Sequence, residues 1–173
     1  MKKYIRLLCV CAMFTALVCV ATTFFSLPAG PVGNVNLGDV IIIITTLALG
    51  PYGAIASGIG AMLADLMSPY AIYAPATLIV KIALSLVCYY VYRVLKKTIK
   101  LDYLSMLIGA VCGELTMVLG YFLYEGILYG FATALLSVPF NLIQGGIALV
   151  VGTLISYFIL KNNTVKKFID NLK

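Results

Sequence analysis

The sequence predicts an all-α integral membrane protein: a six-helix bundle with both termini on the cytoplasmic side. Three observations carry that expectation. Of 173 residues, 63% are hydrophobic and only 10% charged, and the mean hydropathy is +1.10. A soluble domain of this size needs far more polar surface to cover its core. Several apolar runs are long enough to cross a hydrocarbon layer of ~30 Å. Apart from Lys81, the basic residues, finally, cluster at the two ends of the chain and around the connection between the fourth and fifth segments.

The first segment covers about 4–26. Its basic start imitates a signal peptide, but the apolar part of "MKKYIRLLCVCAMFTALVCVATTFF" is too long and no cleavage site follows. It reads as a spanning helix, stopped by the Pro/Gly-rich "LPAGPVGN". The second segment, about 37–49, is short, and "GPYG" turns the chain into a third at about 51–67. "SPYAIYAP" leads to the fourth, about 74–95, and the basic loop "KKTIK" to the fifth, about 103–124. The stretch "EGILYGFATALLSVPF" is expected as the connection to the sixth, about 139–160. Residues 1–173 are thus expected to form one membrane domain.

Lys2, Lys3 and Arg6 precede the first segment, Arg93, Lys96, Lys97 and Lys100 follow the fourth, and Lys161, Lys166 and Lys167 follow the sixth. The loops at about 27–37, 68–73 and 125–138 hold no Lys or Arg. Positive residues stay inside, so both termini are expected in the cytoplasm of a multi-pass bacterial cell membrane protein. The same rule accounts for the net charge of +6, which is no nucleic-acid signal.

Several chemistries are excluded. The chain has no His, and its five cysteines (Cys9, Cys11, Cys19, Cys88 and Cys112) sit in apolar runs without zinc spacing. No metal or cofactor is expected. Ser57, Ser68 and Ser137 have no evident base partner, which argues against an intramembrane enzyme. No "GxxxxGK[ST]" phosphate loop is present, so any ATP must be used by a partner.

The polar residues inside the apolar runs are the candidate site. An ionisable group there is costly unless it faces protein or a wet cavity. At 1.5 Å per residue from each cytoplasmic end, Asp39 lies roughly 16 Å up, Lys81 and Glu114 roughly 18 Å, Asp65 roughly 21 Å and Gln144 roughly 25 Å. These five come from five segments and share the outer half of the layer, as an outward-open ligand pocket requires. Asn141 joins Gln144 as an uncharged polar group. The second segment reaches only about 20 Å. The preceding loop must then dip inward, and such backbone is tolerated where it lines a cavity. Residues 28–38 are expected to form a wall or lid, with Asn34 and Asn36 on it. Asp39 is expected to cap the second helix. The ordinary alternative is that Lys81 only pairs with Asp39, Asp65 or Glu114. Tyr70, Tyr73, Tyr121 and Tyr124 are candidates to stack on a flat ring, or else anchor the interface.

The pattern "NLGD…LGPYGA…G.G..LADL…Y..YAPATLI.K", over about 34–84, resembles the substrate-binding S components of energy-coupling factor (ECF) vitamin transporters. It is similar in particular to the branch with hydroxymethylpyrimidine and pyridoxine carriers. The resemblance implies a vitamin bound near the outer face and a complex with a membrane coupling protein and two cytoplasmic ATPases. It also implies docking through an Ala-x-x-x-Ala pattern on the first helix, matched here by Ala12 and Ala16. Small residues permit that close helix approach in lipid.

The function expected is capture of a vitamin or vitamin precursor, with pyridoxine or hydroxymethylpyrimidine favoured and riboflavin a further option. Asp39, Asp65, Lys81, Glu114, Asn141 and Gln144 are expected to bind it, helped by Asn34, Asn36 and Tyr73. The competing class is a self-sufficient proton-coupled secondary transporter of a small polar solute, with Glu114 or Asp65 carrying the proton.

Overall fold

A run such as "VIIIITTLAL" has no polar face, so as a helix it must be covered on every side. In the computed structural model, which describes residues 2–29 and 33–172, this run is α2 (Gly38–Leu49), and nearly all of it is buried. Around it stand α1 (Lys2–Phe24), α3 (Pro51–Leu66), α4 (Ala74–Leu95), α5 (Asp102–Tyr129) and α6 (Phe131–Lys161). Each packs on the next in the order α1, α3, α4, α5, α6, and α2 touches α1, α3, α4 and α6. A 3-10 turn (Ala71–Tyr73) leads into α4, and a short amphipathic α7 (Asn163–Leu172) ends the described chain.

Four segments, Lys3–Phe24, Ala71–Leu95, Asp102–Tyr129 and Phe131–Lys161, are long and apolar enough to cross a membrane. Their outward faces carry large bare hydrophobics such as Ile79 and Ile127, which is what lipid contact requires. With 12 and 16 residues, α2 and α3 are shorter.

Two connections differ from expectation. Residues 125–138 are helical apart from Gly130, the single residue between α5 and α6. Gly130 has φ 87°, a backbone that glycine adopts without a Cβ penalty. Pro139, the expected start of the sixth segment, lies inside α6. Apolar helices tolerate such prolines because neighbours satisfy the freed backbone groups. The second difference is the stretch before α2. It is an antiparallel hairpin of β1 (Ser26–Ala29) and β2 (Gly33–Asn36), with Ser26 opposite Asn36. Residues 30–32, part of the expected wall, lie outside the described residues.

Polar groups and apolar core segregate along the bundle. Below the level of Asp39, Val40, Ile43, Ile44 and Leu47 of α2 pack with Cys88, Met106 and Ala148. Farther down, Leu49 meets Leu7 of α1 and Ile169 and Leu172 of α7, which close that end. Arg93, Lys96, Lys100, Lys161 and Lys166 surround one cleft at the same end.

Lipid tails are as apolar as leucine, so van der Waals fit holds such helices together. α4 and α5 pack closely over Gly109 and Gly113. A Cβ at Gly113 would lie 2.8 Å from the Leu84 carbonyl oxygen and 2.9 Å from Cys88 Cβ. Gly113→Val should therefore cost about 1–3 kcal/mol through overpacking. Gly146→Ala, where nothing lies within 4 Å, should cost nothing measurable. Thermal unfolding of the two variants in detergent checks the contrast.

Candidate functional site

At the end of the bundle opposite the basic residues, the helices part around a cleft with about 460 Å³ of space between its walls, its open mouth included. Each wall is one helical face. Ala61 and Asp65 of α3 are four residues apart; so are Tyr73, Thr77 and Lys81 entering α4, and Tyr121 and Glu125 of α5. Positions i and i+4 lie above one another on a helix, so each face points at the same cavity. Asn141 and Gln144 of α6, Asn34 and Asn36 of β2, Thr22 and Tyr70 complete the lining.

Behind this lining sits a buried ion pair. Lys81 Nζ donates to Asp39 Oδ1 at 2.6 Å and to Oδ2 at 2.9 Å, and Gln144 Nε2 donates to Asp39 Oδ2 at 2.5 Å. Asp39 is 0% exposed and Lys81 4%. The network continues outward, since Gln144 Oε1 accepts the Asn36 backbone N–H at 2.8 Å. Asn36 Oδ1 in turn accepts the Gly38 N–H at 3.0 Å. That corrects the capping expectation. Asp39 stands within the first turn of α2 and makes no cap hydrogen bond; Asn36 serves the orphan N–H instead, because the Asp39 carboxylate is taken up by Lys81 and Gln144.

The expected site residues therefore divide. Asp65, Lys81, Asn141, Gln144, Asn34, Asn36 and Tyr73 come together on the cleft. Asp39 stands behind it, holding Lys81 and Gln144. Glu114 is buried at 5% exposure and does not line the cleft. It faces Gly145, where an added Cβ would lie 3.1 Å from Glu114 Oε2. Neither Glu114 oxygen has a hydrogen-bond partner among the described residues.

Four lining residues lie outside the expected set: Thr22, Ala61, Thr77 and Glu125. The i+4 spacing from Tyr73 to Thr77 to Lys81 was a usable signal. Glu125 is equally i+4 from Tyr121, but it lies beyond the expected end of the fifth segment near 124, whereas α5 continues to Tyr129. Thr77 Oγ1 bonds Asp65 Oδ2 at 2.5 Å and lies 2.9 Å from the Tyr121 hydroxyl. The Tyr73 hydroxyl donates to Glu125 Oε1 at 3.3 Å. The Lys81 ammonium lies 5.2 Å from the Tyr121 ring centroid, a cation–π distance. Of the four tyrosines named for stacking, Tyr70, Tyr73 and Tyr121 border the cleft. Tyr124 instead donates to the Ile72 carbonyl at 2.5 Å. Ala12 and Ala16 are exposed on α1 and line a separate apolar groove against Ile55 and Ile59 of α3.

The pair explains how Asp39 can matter without touching a ligand. Asp39→Asn leaves the Lys81 charge buried and unmatched, which should cost about 3–5 kcal/mol. Adding Lys81→Met removes the second charge and should restore most of that stability. Unfolding midpoints of the single and double variants, measured in detergent, test this compensation.

Comparison with known proteins agrees with the architecture. A solved structure described as "Structure and mechanism of the S component of a bacterial ECF transporter" superposes with a TM-score of 0.72 at 19% identity, covering 90% of this chain and 96% of that one. At that identity the likeness shows the fold. A Pyrococcus woesei protein described as "Uncharacterized protein in gap 3'region" is 31% identical over 130 residues, covering 75% of this chain and 84% of its own length. The family model "ECF-type riboflavin transporter, S component" matches residues 2–161. Its description names riboflavin, whereas the sequence pattern resembled the hydroxymethylpyrimidine and pyridoxine branch. With the match spanning nearly the whole chain, the protein belongs to the family of ECF-type riboflavin transporter S components.

Proposed function

We propose that the chain is the substrate-capturing subunit of an ATP-driven vitamin importer in the cell membrane, and that its cargo is riboflavin, held in the cleft described above. The observation that carries this reading is the cleft itself. It is lined by aromatic and polar side chains and lies at the end opposite the basic connections. By the positive-inside rule those connections and both termini are cytoplasmic, and the cleft faces outside. The family match moves the choice of vitamin from pyridoxine or hydroxymethylpyrimidine to riboflavin. Tyr70, Tyr73 and Tyr121 line the cleft and offer faces on which a flat ring can stack. Lys81 and Gln144 each keep an N–H beyond those given to Asp39 and can serve ring acceptors.

Release inward is assigned to a coupling protein and two ATPase subunits, docked on the groove of α1 that carries Ala12 and Ala16. The groove is apolar and built around small residues, which allow close helix contact. A self-sufficient proton-coupled transporter has no comparable support.

Riboflavin added to the purified chain should be bound one to one, with saturable quenching of flavin fluorescence, and neither pyridoxine nor hydroxymethylpyrimidine should displace it. Tight binding of either competitor without riboflavin binding would overturn the assignment. Ala12→Trp or Ala16→Trp should abolish co-purification with the coupling protein and leave the riboflavin titration unchanged. Normal co-purification of both variants would refute the docking face.

A further inference from the structure

We propose that the cleft at the basic end of the bundle, where α4, α5 and α6 meet α7, binds the headgroup of an anionic phospholipid. This cleft lies at the opposite end from the outer one, and the proposal holds whichever vitamin the outer cleft takes.

The positive-inside rule explains why Lys and Arg gather at this end. It does not explain why Arg93, Lys96, Lys100, Lys161 and Lys166 surround one cavity while Lys97 and Lys167 stand outside its lining. The cavity has about 1140 Å³ of space between its walls, its open mouth included. That is room for a glycerophosphate headgroup and the start of its chains. Only two carboxylates, Asp102 and Asp170, share the lining. Asp102 sits 3.4 Å from Lys96 with both side chains near half exposed, a pair that solvent weakens. The other four cations have no carboxylate partner among the described residues. They also come from separate elements: Arg93 from the last turn of α4, Lys100 from the connection to α5, Lys161 from the end of α6 and Lys166 from α7. Like charges converging in this way repel. A phosphate among them accepts charge-assisted hydrogen bonds from each and removes the repulsion.

The rest of the lining favours a lipid over a soluble anion. The floor is apolar, with Leu47, Met106 and Ile169 all buried. Leu101, also in the lining, is 67% exposed and gives the mouth a bare apolar lip. Tyr103 and Tyr157 form part of the wall, edge to face with ring centroids 5.6 Å apart. Tyrosines suit the level of lipid headgroups, being apolar at one end and polar at the other. Two of the cations are drawn toward this wall. The Lys161 ammonium lies 5.6 Å from the Tyr157 ring centroid, and Lys96 Nζ donates to the Tyr92 hydroxyl at 2.9 Å. The amphipathic α7 buries Ile169 and Leu172 and leaves Lys166 and Lys167 exposed, as a helix lying in the membrane interface does. A free phosphate would satisfy the rim and leave the floor wet, whereas a phosphodiester carrying acyl chains covers both. Basic pockets between helix ends on the cytoplasmic side suit such headgroups.

Thermal unfolding of the purified full chain in detergent tests the site, with three probes: phosphatidylglycerol, phosphatidylcholine of the same acyl chains, and inorganic phosphate. Phosphatidylglycerol should raise the unfolding midpoint saturably, and the other two should not. In Lys161→Gln/Lys166→Gln, the phosphatidylglycerol concentration giving half the shift should rise roughly tenfold or more, two cationic contacts being lost. Lys97→Gln/Lys167→Gln removes the same charge from the same end. It should keep that concentration within about threefold of the native value, because charges off the cleft act only through a screened field. All four lysines are exposed, so both variants should unfold at the native midpoint without lipid. Equal shifts with phosphatidylglycerol and phosphatidylcholine would overturn the site, a result that needs no variant. Equal losses in the two variants would reduce it to diffuse surface charge and overturn it too. Protection by inorganic phosphate as strong as by phosphatidylglycerol would assign the cleft to a soluble anion and overturn the lipid reading.

Discussion

The ion pair between Asp39 and Lys81 is the constraint from which the rest of the site follows. Two charges this deep are tolerated only when each neutralises the other and the remaining polar atoms find partners. Both conditions are met here. Lys81 uses both oxygens of Asp39, and Gln144 adds a third donor. One contact set therefore ties α2, α4 and α6 together. It also reaches the hairpin, because the far end of the Gln144 amide holds the Asn36 backbone. The central helix, two of its neighbours and the β-hairpin wall are fixed relative to one another by five hydrogen bonds that run in series from Lys81 to Gly38.

This arrangement separates the polar from the apolar half of the bundle. Below the pair, α2 packs against hydrophobic side chains and close-packed glycine faces. Above it, the polar side chains of five helices converge on the cleft. Lys81, the one cation on the described lining, is already committed. What remains toward the proposed ligand is a set of directional hydrogen-bonding groups with little spare positive charge. Such a site recognises a neutral polar molecule by the pattern of its donors and acceptors.

Much of this was readable in the sequence because a charged residue in an apolar run has few reasons to be there. Asp65, Lys81 and Gln144 stand out for that reason, and the structure brings them to one cavity. The partner of Lys81 was not readable. Asp39, Asp65 and Glu114 lie at similar estimated depths, and only packing decides that Asp39 takes the pair and Glu114 is set against Gly145. Glu125 escaped for a different reason. Gly130 and Pro139 look like loop punctuation, yet one is a single-residue turn and the other a proline inside a continuous helix. Helix ends set by such residues are weak inferences in lipid, where neighbours repair a broken backbone ladder. The hairpin left no pattern either. Its strands are four residues each and carry Pro28 and Gly33.

The central claim is that riboflavin occupies the cleft while the Asp39–Lys81 pair remains intact behind it. An experimental structure of the purified chain saturated with riboflavin tests this most directly. The account predicts ligand density bounded by Tyr73, Lys81, Glu125 and Gln144, with Lys81 still bound to Asp39. Density in the groove between α1 and α3, or a Lys81 that has left Asp39 to meet the ligand, would contradict it.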